Sequence, residues 1–261
     1  MDVYQLNRQA WDIQSSSGES PWAQPVDAET IQAARDGSWQ VILTPTLPVP
    51  REWFGELDGA TVLGLASGGG QQVPTLAAAG AKVISLDASP EQLAKDQSTA
   101  KAFDLDVSTV LGDMADLSQF EAESFDLIFH PVSNLFCSDI QPVWHHCARI
   151  LKPGGRLLSG FMNPDFYLFD HEAIEQGESL EVKFELPFRD TDHLSELDIR
   201  ARINQGWALE FSHSLDAQIG GQLAAGLVVH GFYEDRWDNE ATPLNQYMPT
   251  SMATLAIKPG T

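Results

Sequence analysis

The stretch VLGLASGGGQQ (residues 62–72) carries an apolar segment into three consecutive glycines. Because glycine has no Cβ, such a loop lets a ligand approach the backbone closely. The dinucleotide fingerprint GxGxxG fails, since the sixth position counted from Gly68 is Val73. The nucleophile pattern GxSxG around Ser67 also fails, since Leu65 holds its first position. The loop therefore indicates either a different nucleoside cofactor or a plain strand-to-helix turn.

Polar residues stand at the ends of later apolar segments. Asp87 ends KVISLD, Asp113 follows VSTVL, and His130 ends FDLIFH. The carboxyl ends of parallel strands meet at one edge of a sheet, where ligands bind. A carboxylate at Asp87, 17 residues after Gly70, can accept both hydroxyls of a ribose. We therefore expect these residues to share a crevice with the glycine loop.

Strands and helices alternate from Thr61 onward, which predicts βαβ units and a parallel sheet covered on both faces. Ser89 as N-cap, Pro90 at the first helical position and Gln92 as partner in a capping box start one of these helices. The strand candidates are TVLGLA, KVISLD, VSTVL, FDLIFH, GRLLSGF, GLVVHGFYEDR and SMATLAIKP. The helix candidates are QVPTLAAAG, PEQLAKDQSTAKAF, IQPVWHHCARIL and SLDAQIGGQLAAG.

Two regions fall outside this alternation. Residues 1–60 read as a helical and irregular arm, in which Asp27 caps a helix before a proline-rich stretch. Residues 164–212 read as an insertion on the substrate side, with an apparent strand in LEVKFELPF. We therefore predict an N-terminal arm or lid followed by a main domain over 61–261.

Composition restricts the partners. The 261 residues include 15 Lys+Arg against 37 Asp+Glu, a net charge of -22, which would repel a phosphate backbone and argues against nucleic acid. No apolar run approaches the ~18 residues of a membrane span. Two cysteines outside any CxxC pair and the lack of a signal-peptide pattern indicate a cytoplasmic protein. A small-molecule substrate is the partner we expect.

Five segments in register resemble the class I S-adenosylmethionine-dependent methyltransferases, of the methyltransferase type 11 kind. They are VLGLASGGG, VISLDASPEQL, LGDMADL, SFDLIFH and RILKPGGRLL, spread over about 100 residues from Val62 to Gly160. The resemblance implies an α/β fold: a Rossmann-like, doubly wound, three-layer αβα domain. Its seven-stranded sheet would be mostly parallel, with the last strand antiparallel. It also implies S-adenosylmethionine as cofactor and S-adenosylhomocysteine as product.

The resemblance also implies a cofactor site. Asp87 would hold the ribose, Asp113 would accept from the adenine amino group, and Met114 would pack on the ring. The sequence departs from the family's first motif at Gly64, where an acidic residue is usual, and at Ala66, where the first glycine is usual. We expect Gln71, Gln72 or the arm to replace the missing carboxylate. The full predicted set is Ala66, Ser67, Gly68, Gly69, Gly70, Gln72, Asp87, Ala88, Gln92, Asp113, Met114 and His130.

A methyl group on a sulfonium is already a strong electrophile, so the enzyme must mainly align the nucleophile and exclude water. A base is needed only if the nucleophile must lose a proton. His130 is the first candidate for base or substrate ligand and His213 the second, with packing or capping roles as the alternatives. Trp11, Asn134 and Asn163 are the predicted substrate contacts. Aromatic residues of the insertion would form another wall, suited to a small organic substrate.

Other readings receive less support. His145 and His146 precede a cysteine, but adjacent residues of a helix do not share a face, so we predict no metal site. A non-catalytic module that binds S-adenosylmethionine for regulation stays open, given the departures at Gly64 and Ala66. An NAD(P)-dependent oxidoreductase and a serine hydrolase using Ser67 are more remote, because their motifs fail.

Overall fold

The computed structural model of the chain describes residues 1–238 and 240–260. Its seven strands are β1 (Thr61–Leu65), β2 (Lys82–Asp87), β3 (Val107–Leu111), β4 (Phe125–His130), β5 (Leu151–Met162), β6 (Val228–Asp235) and β7 (Ser251–Ile257). They form one sheet in the order β3-β2-β1-β4-β5-β7-β6. Only β7 runs antiparallel to its neighbours β5 and β6, and the first five strands pair in parallel. The predicted fold class is confirmed.

The helices lie on both faces of this sheet and above its edge. In the described ranges they are α1 (Val3–Ser17), α2 (Ala28–Arg35), α3 (Gln72–Ala78), α4 (Pro90–Phe103), α5 (Gln141–Ile150), α6 (His171–Glu175), α7 (Asp190–His193), α8 (Glu196–Asn204) and α9 (Gly221–Ala224). A short π-helical turn, Asp216–Gly220, leads into α9. No helix in this part of the chain is long and apolar enough to cross a membrane.

Helix α4 begins as predicted, but its capping box is only half formed. Ser89 Oγ accepts the Gln92 backbone N–H at 3.1 Å. The Ser89 N–H, however, donates to Asp87 Oδ1 at 2.9 Å and not to Gln92. The Gln92 side chain instead reaches α1, where Ser15 Oγ donates to its Oε1 at 3.5 Å. The start of α4 therefore connects β2 to the N-terminal arm.

The strands read as apolar runs because both faces of the sheet are covered. Val62 of β1 packs on the α3 side, in a cluster with Leu76. Its neighbour Leu63 faces the opposite side, in a cluster with Trp144 of α5. All four side chains are fully buried, and the Trp144 indole N–H donates to the Ala217 carbonyl at 2.9 Å. These two packed layers fix the strand ends that carry the polar residues.

The insertion differs from its prediction. Residues 180–188 form no strand and make a single bridge, between Phe169 and Val182. The apolar residues whose spacing suggested a strand, Phe184 and Phe188, face a cavity instead of a partner strand. The rest of the insertion consists mainly of short helices and extended chain.

Candidate functional site

A cavity of about 1860 Å³ opens at the carboxyl ends of the parallel strands, beneath α1. The predicted site residues on its wall are Trp11, Ala66, Ser67, Gly68, Gln72, Asp87, Ala88, Gln92, Asp113 and Met114. The predicted residues that do not line it are Gly69, Gly70, His130, Asn134, Asn163 and His213. The structure thus brings most of the expected cofactor contacts together and separates them from the expected bases.

Asp87 is held by backbone donors at the end of β2. Its Oδ2 accepts the Gly68 N–H at 3.1 Å and its Oδ1 accepts the Ser89 N–H at 2.9 Å. Each carboxylate oxygen therefore keeps a lone pair that can accept from a ligand hydroxyl. Burial raises the pKa of Asp87 to about 6, although these amides act to lower it. The group is a partly exposed acceptor aimed into the cavity.

The loop after β1 packs closely against Asp87 and the start of α4. A Cβ at Gly68 would lie 2.8 Å from Gln92 Cβ and 3.1 Å from Asp87 Oδ2. Ala66, at φ 49°, adopts the left-handed conformation that glycine prefers, and its N–H donates to the Leu86 carbonyl at 2.7 Å. Alanine at position 66 therefore holds a backbone conformation that glycine adopts more readily.

The second and third glycines make room for the N-terminal arm. A Cβ at Gly69 would lie 2.5 Å from the Trp22 carbonyl oxygen, and one at Gly70 would lie 3.0 Å from Pro25 Cβ. The Val26 N–H donates to the Gly70 carbonyl at 2.8 Å. Only the first glycine of the triad faces the cavity; the other two allow close approach of the arm.

The departure at Gly64 is matched by Ser67. A Cβ at Gly64 would lie 2.7 Å from Ser67 Oγ and 2.6 Å from Val73 Cγ2. Ser67 Oγ is buried and has no hydrogen-bond partner among the described residues. The serine hydroxyl therefore fills the space beside residue 64, and a larger side chain at 64 would collide with it.

A carboxylate does support the loop, but it comes from α4. Asp96 is fully buried; its Oδ1 accepts the Gly70 N–H at 2.7 Å and its Oδ2 accepts from Ser85 Oγ at 2.6 Å. Burial raises its pKa to about 7. The sequence prediction missed Asp96, because it looks like any polar position of an amphipathic helix.

The two glutamines after the loop line the cavity and also fasten the arm. Gln71 Nε2 donates to the Pro21 carbonyl at 2.7 Å, and Gln72 Oε1 accepts the Ile42 N–H at 3.1 Å. Helix α1 completes the cover over this part of the cavity, where Trp11 packs edge-on against Phe136 with ring centroids 5.3 Å apart.

His130 lies on the far side of the sheet edge. Its ring is fully buried, 6.1 Å from that of Trp144, and its Nδ1 donates to the Leu65 carbonyl at 2.9 Å. Burial lowers its pKa to about 4, so the ring is neutral near pH 7. Because the ring does not reach the cavity, it is not placed to take a proton from a substrate there. This placement corresponds to the packing role that was the alternative for His130.

The other three predicted polar residues, His213, Asn134 and Asn163, form hydrogen bonds within the protein. His213 Nε2 donates to the Cys137 carbonyl at 2.9 Å. Asn134 Nδ2 donates to Gln218 Oε1 at 2.8 Å. Asn163 caps the short 3-10 helix that follows β5, accepting the Asp165 N–H at 3.1 Å. None of these three predicted side chains lines the cavity.

Asp113 and Met114 follow β3 on the cavity wall. Asp113 Oδ1 accepts the Ala115 N–H at 2.9 Å, an Asx turn that orients the carboxylate. Tyr4 of α1 also lines this part, and burial raises the pKa of its hydroxyl. The sequence prediction did not include Tyr4, whose position depends on where α1 docks.

The histidine pair of α5 makes local contacts. Within residues 1–238 and 240–260, no three His, Cys, Asp or Glu side chains are grouped as metal ligands would be. His145 Nδ1 bonds the Gln141 carbonyl at 2.8 Å, and Arg149 lies 3.5 Å from His146 Nδ1.

The outer half of the cavity is built by the insertion. Tyr167 follows β5 and is buried against Met162. Its hydroxyl donates to Glu210 Oε2 at 2.8 Å, and the Glu210 N–H donates to Asp190 Oδ2 at 2.8 Å. Burial raises the pKa of Glu210 to about 7. The sequence prediction named the insertion's aromatic residues as a wall but missed this carboxylate.

The chain is similar to known methyltransferases. Residues 63–159 match the family model described as a methyltransferase domain. Over 252 residues the chain is 45% identical to the uncharacterised methyltransferase YbaJ of Bacillus subtilis, covering 97% of each. It is also 40% identical to a cypemycin N-terminal methyltransferase of a Streptomyces species, over 38% of this chain and 40% of that relative.

Solved structures agree on the fold. An S-adenosylmethionine-dependent methyltransferase from Mesorhizobium loti superposes with a TM-score of 0.60 at 18% identity, over 79% of this chain and 94% of that one. A putative sarcosine dimethylglycine methyltransferase from Galdieria sulphuraria gives 0.59 at 15% identity, over 97% and 98%. Because the similarity to YbaJ spans nearly the whole chain, the protein belongs to the S-adenosylmethionine-dependent methyltransferases.

Proposed function

We propose that this methyltransferase transfers the methyl group of S-adenosylmethionine to a small organic acceptor held in the cavity under the N-terminal arm. The cavity volume of about 1860 Å³ is the observation that carries the proposal. A pocket for one small ligand has roughly 300–1,000 Å³. There is therefore room for a cofactor and an acceptor side by side.

The inner half of the cavity suits the cofactor. Asp87 accepts the ribose hydroxyls, the role that such a strand-end carboxylate has in related nucleotide folds. Ala66 and Gly68 give the backbone clearance for the chain that carries the sulfur. Asp113 and Met114 take the adenine. The complete proposed set is Ala66, Ser67, Gly68, Gln72, Asp87, Ala88, Gln92, Asp113 and Met114, all of which line the cavity.

The arm, residues 1–60, acts as the lid of the domain formed by residues 61–261. Asn7 of α1 supports this role, because its Nδ2 donates to the Phe136 carbonyl at 2.9 Å and to the Leu209 carbonyl at 3.0 Å. The arm thereby bridges the segment after β4 and the end of the insertion. Closing the cavity excludes water, which favours alignment of the acceptor with the methyl group.

The cofactor supplies an activated methyl group, so the protein's own residues orient, desolvate and, for some acceptors, deprotonate. His130 does not serve as the base in this proposal, because its ring is buried against Trp144 of α5 and does not line the cavity. Trp11 contributes to the cover over the acceptor. Any proton acceptor must come from the cavity wall.

Calorimetry with S-adenosylhomocysteine tests the cofactor half of the proposal. Asp87→Ala removes two charge-assisted hydrogen bonds and should weaken binding by about a hundredfold or more, since each contributes roughly 1.5–3 kcal/mol. Asp106→Ala is the matched control, because Asp106 is exposed just before β3 and does not line the cavity. Equal affinities of both variants for S-adenosylhomocysteine would contradict the ribose assignment.

Transfer of labelled methyl groups into a metabolite extract tests the acceptor half. Label in a small-molecule fraction supports the proposal. Label only in macromolecules would overturn the small-acceptor assignment. Cofactor binding without transfer to any acceptor would favour a regulatory binding module.

A further inference from the structure

The outer half of the cavity is walled by aromatic rings. Phe188 stacks on His193 with centroids 4.9 Å apart, and on Tyr167 at 5.6 Å. Phe184 packs against Phe188 at 5.0 Å. Ring faces carry partial negative charge and attract cations, most strongly where water is excluded. We call six of the rings that line the cavity the ring wall: Phe166, Tyr167, His171, Phe184, Phe188 and His193.

Glu210 adds a carboxylate to this ring wall. Tyr167 Oη donates to Oε2 at 2.8 Å, whereas no group in the described ranges donates to Oε1. Asp190 lies beside it and accepts the Glu210 N–H at 2.8 Å. The site therefore presents two carboxylates and a free acceptor oxygen against apolar ring faces.

Among the described residues, no lysine or arginine pairs directly with Glu210. Over residues 1–238 and 240–260, the only lysine or arginine side chains on the cavity wall are Lys183 and Arg202. Lys183 pairs with Asp170, and Arg202 pairs with Glu172. Arg202 offsets the charge of Glu210 only in part, because it is paired with Glu172. An anionic ligand group would therefore meet net negative charge here, whereas a cation would be attracted.

The ring wall adjoins the edge of the sheet where transfer would take place. Tyr167 packs with Met162, at the end of β5, and with Val132, just after β4. The Phe211 N–H, next to Glu210, donates to the Leu135 carbonyl at 2.8 Å. The carboxylate and the cofactor half of the cavity are thus connected through the segment that follows β4.

We propose that the methyl acceptor is an organic amine, bound with its ammonium group on Glu210 and its apolar body against the ring wall. The inference rests on the proposed function and names the acceptor class for the same site. Aromatic rings combined with a carboxylate are a general solution for binding alkylammonium ions. Neutral alcohols would gain little from the ring wall and the paired acidic residues.

Glu210 also provides the proton acceptor that an amine needs. An ammonium group has no lone pair, so one proton must first pass to the Glu210 carboxylate. The neutral nitrogen then forms the new N–C bond with its lone pair, and the S–C bond breaks with its electrons returning to sulfur. The product is a methylated ammonium ion and a neutral thioether. The pKa of Glu210, raised to about 7, suits this exchange near neutral pH.

Several charged groups face Glu210 and set its titration. Asp190 raises its pKa, while the guanidinium of Arg202 and the hydroxyl of Tyr167 lower it; burial is the largest influence. His193 lies on the same wall. Because Arg202 is paired with Glu172, its influence on Glu210 is partly compensated.

The test uses benzyltrimethylammonium and benzyl alcohol as probes, titrated into the full chain saturated with S-adenosylhomocysteine. Benzyltrimethylammonium carries a fixed charge, so its affinity should rise as pH increases through about 7, when Glu210 ionises. Benzyl alcohol should bind more weakly at every pH. Glu210→Gln keeps an oxygen for Tyr167 but removes the charge. It should weaken binding of the cation about tenfold at about pH 8 and abolish the pH dependence.

Glu185→Gln is the matched control, since Glu185 is exposed in the same insertion and does not line the cavity. Both variants should bind S-adenosylhomocysteine as the wild type does. If the cation binds Glu210→Gln and the wild type equally, or if benzyl alcohol binds as tightly as the cation, the amine inference is wrong. Failure of the wild type to bind S-adenosylhomocysteine would instead overturn the proposed function, so the two failures are distinguishable.

Discussion

The buried carboxylate of Asp96 should reduce the stability of the free protein at neutral pH. It supports the glycine loop through the Gly70 N–H and also accepts from Ser85 Oγ. Asp96→Asn preserves both contacts, because the amide oxygen can accept from Gly70 and the amide nitrogen can donate to the serine. The substitution removes only the charge and, with it, the cost of keeping that charge out of water.

The size of this loss of stability follows from the pKa of Asp96. Burial raises it from 3.8 to about 7, so between these values the folded chain binds more protons than the unfolded chain. The free energy of unfolding therefore falls as pH rises through this window. At 1.36 kcal/mol per pKa unit the total is about 4 kcal/mol, of which about 2.5 kcal/mol lies between pH 5 and pH 8.

Urea unfolding at these two pH values provides the assay. The Asn variant should gain about 2.5 kcal/mol relative to the wild type on going from pH 5 to pH 8. Its affinity for S-adenosylhomocysteine should be unchanged, because Gly70 does not line the cavity. A difference in unfolding free energy that is independent of pH would refute the reasoning. Asp96→Ala, which leaves two buried donors unpaired, should be less stable than Asp96→Asn at both pH values.

Three further predictions concern the same edge of the sheet. The ribose hydroxyls require ionised Asp87, whose pKa is about 6. The affinity for S-adenosylhomocysteine, measured by calorimetry, should therefore fall about tenfold from pH 7 to pH 5. An affinity that is independent of pH would exclude this role of Asp87. Gly64→Ala should lower the free energy of unfolding in urea by about 1–3 kcal/mol, because its Cβ would meet Ser67 and Val73. Adding Ser67→Gly should recover part of the loss. Strictly additive effects of the two substitutions would show that the two positions do not interact. His130→Gln should lower stability by about 1–3 kcal/mol but leave kcat within about threefold of the wild type, whereas a large loss of kcat in a stably folded variant would restore the histidine as a catalytic residue.

The sheet could be predicted because its signals are local. The strands are mostly short apolar runs, and β2 and β4 end in a polar residue, Asp87 and His130. The spacing of Asp87 from the loop can be counted in the sequence without knowledge of any tertiary contact. The predicted strand over 180–188 was wrong for the opposite reason. Phe184 and Phe188 have the spacing of a strand, but both side chains face the cavity. Sequence spacing shows that two side chains share a face; it does not show whether that face meets a sheet or a cavity.

The sequence indicated both walls of the cavity, but the polar residues that it named on the cavity wall all belong to the inner half. Loop glycines and strand-end carboxylates can be recognised from their positions in the sequence. His130 also stands at a strand end, but the face that its ring takes depends on the packing of Trp144 against the sheet. Asp96 and Glu210 carry no local signal. Each is an ordinary acidic residue in sequence, and each acquires its role from a contact with a distant segment, respectively 26 and 43 residues away.

The departures from the family's first motif form one consistent arrangement. With glycine at position 64, the hydroxyl of Ser67 can turn inward and fill the space beside the strand. The loop then lacks a carboxylate from β1, and Asp96 supplies one from α4. Asp96 acts on the Gly70 N–H, and the Gly70 carbonyl in turn accepts from Val26 of the arm. Asp96 is therefore connected to the arm through Gly70. A substitution at Asp96 that breaks its bond to the Gly70 N–H should loosen the arm more than it disturbs Asp87. Hydrogen exchange at Val26 reports this directly, and faster exchange in Asp96→Ala than in Asp96→Asn is the expected result.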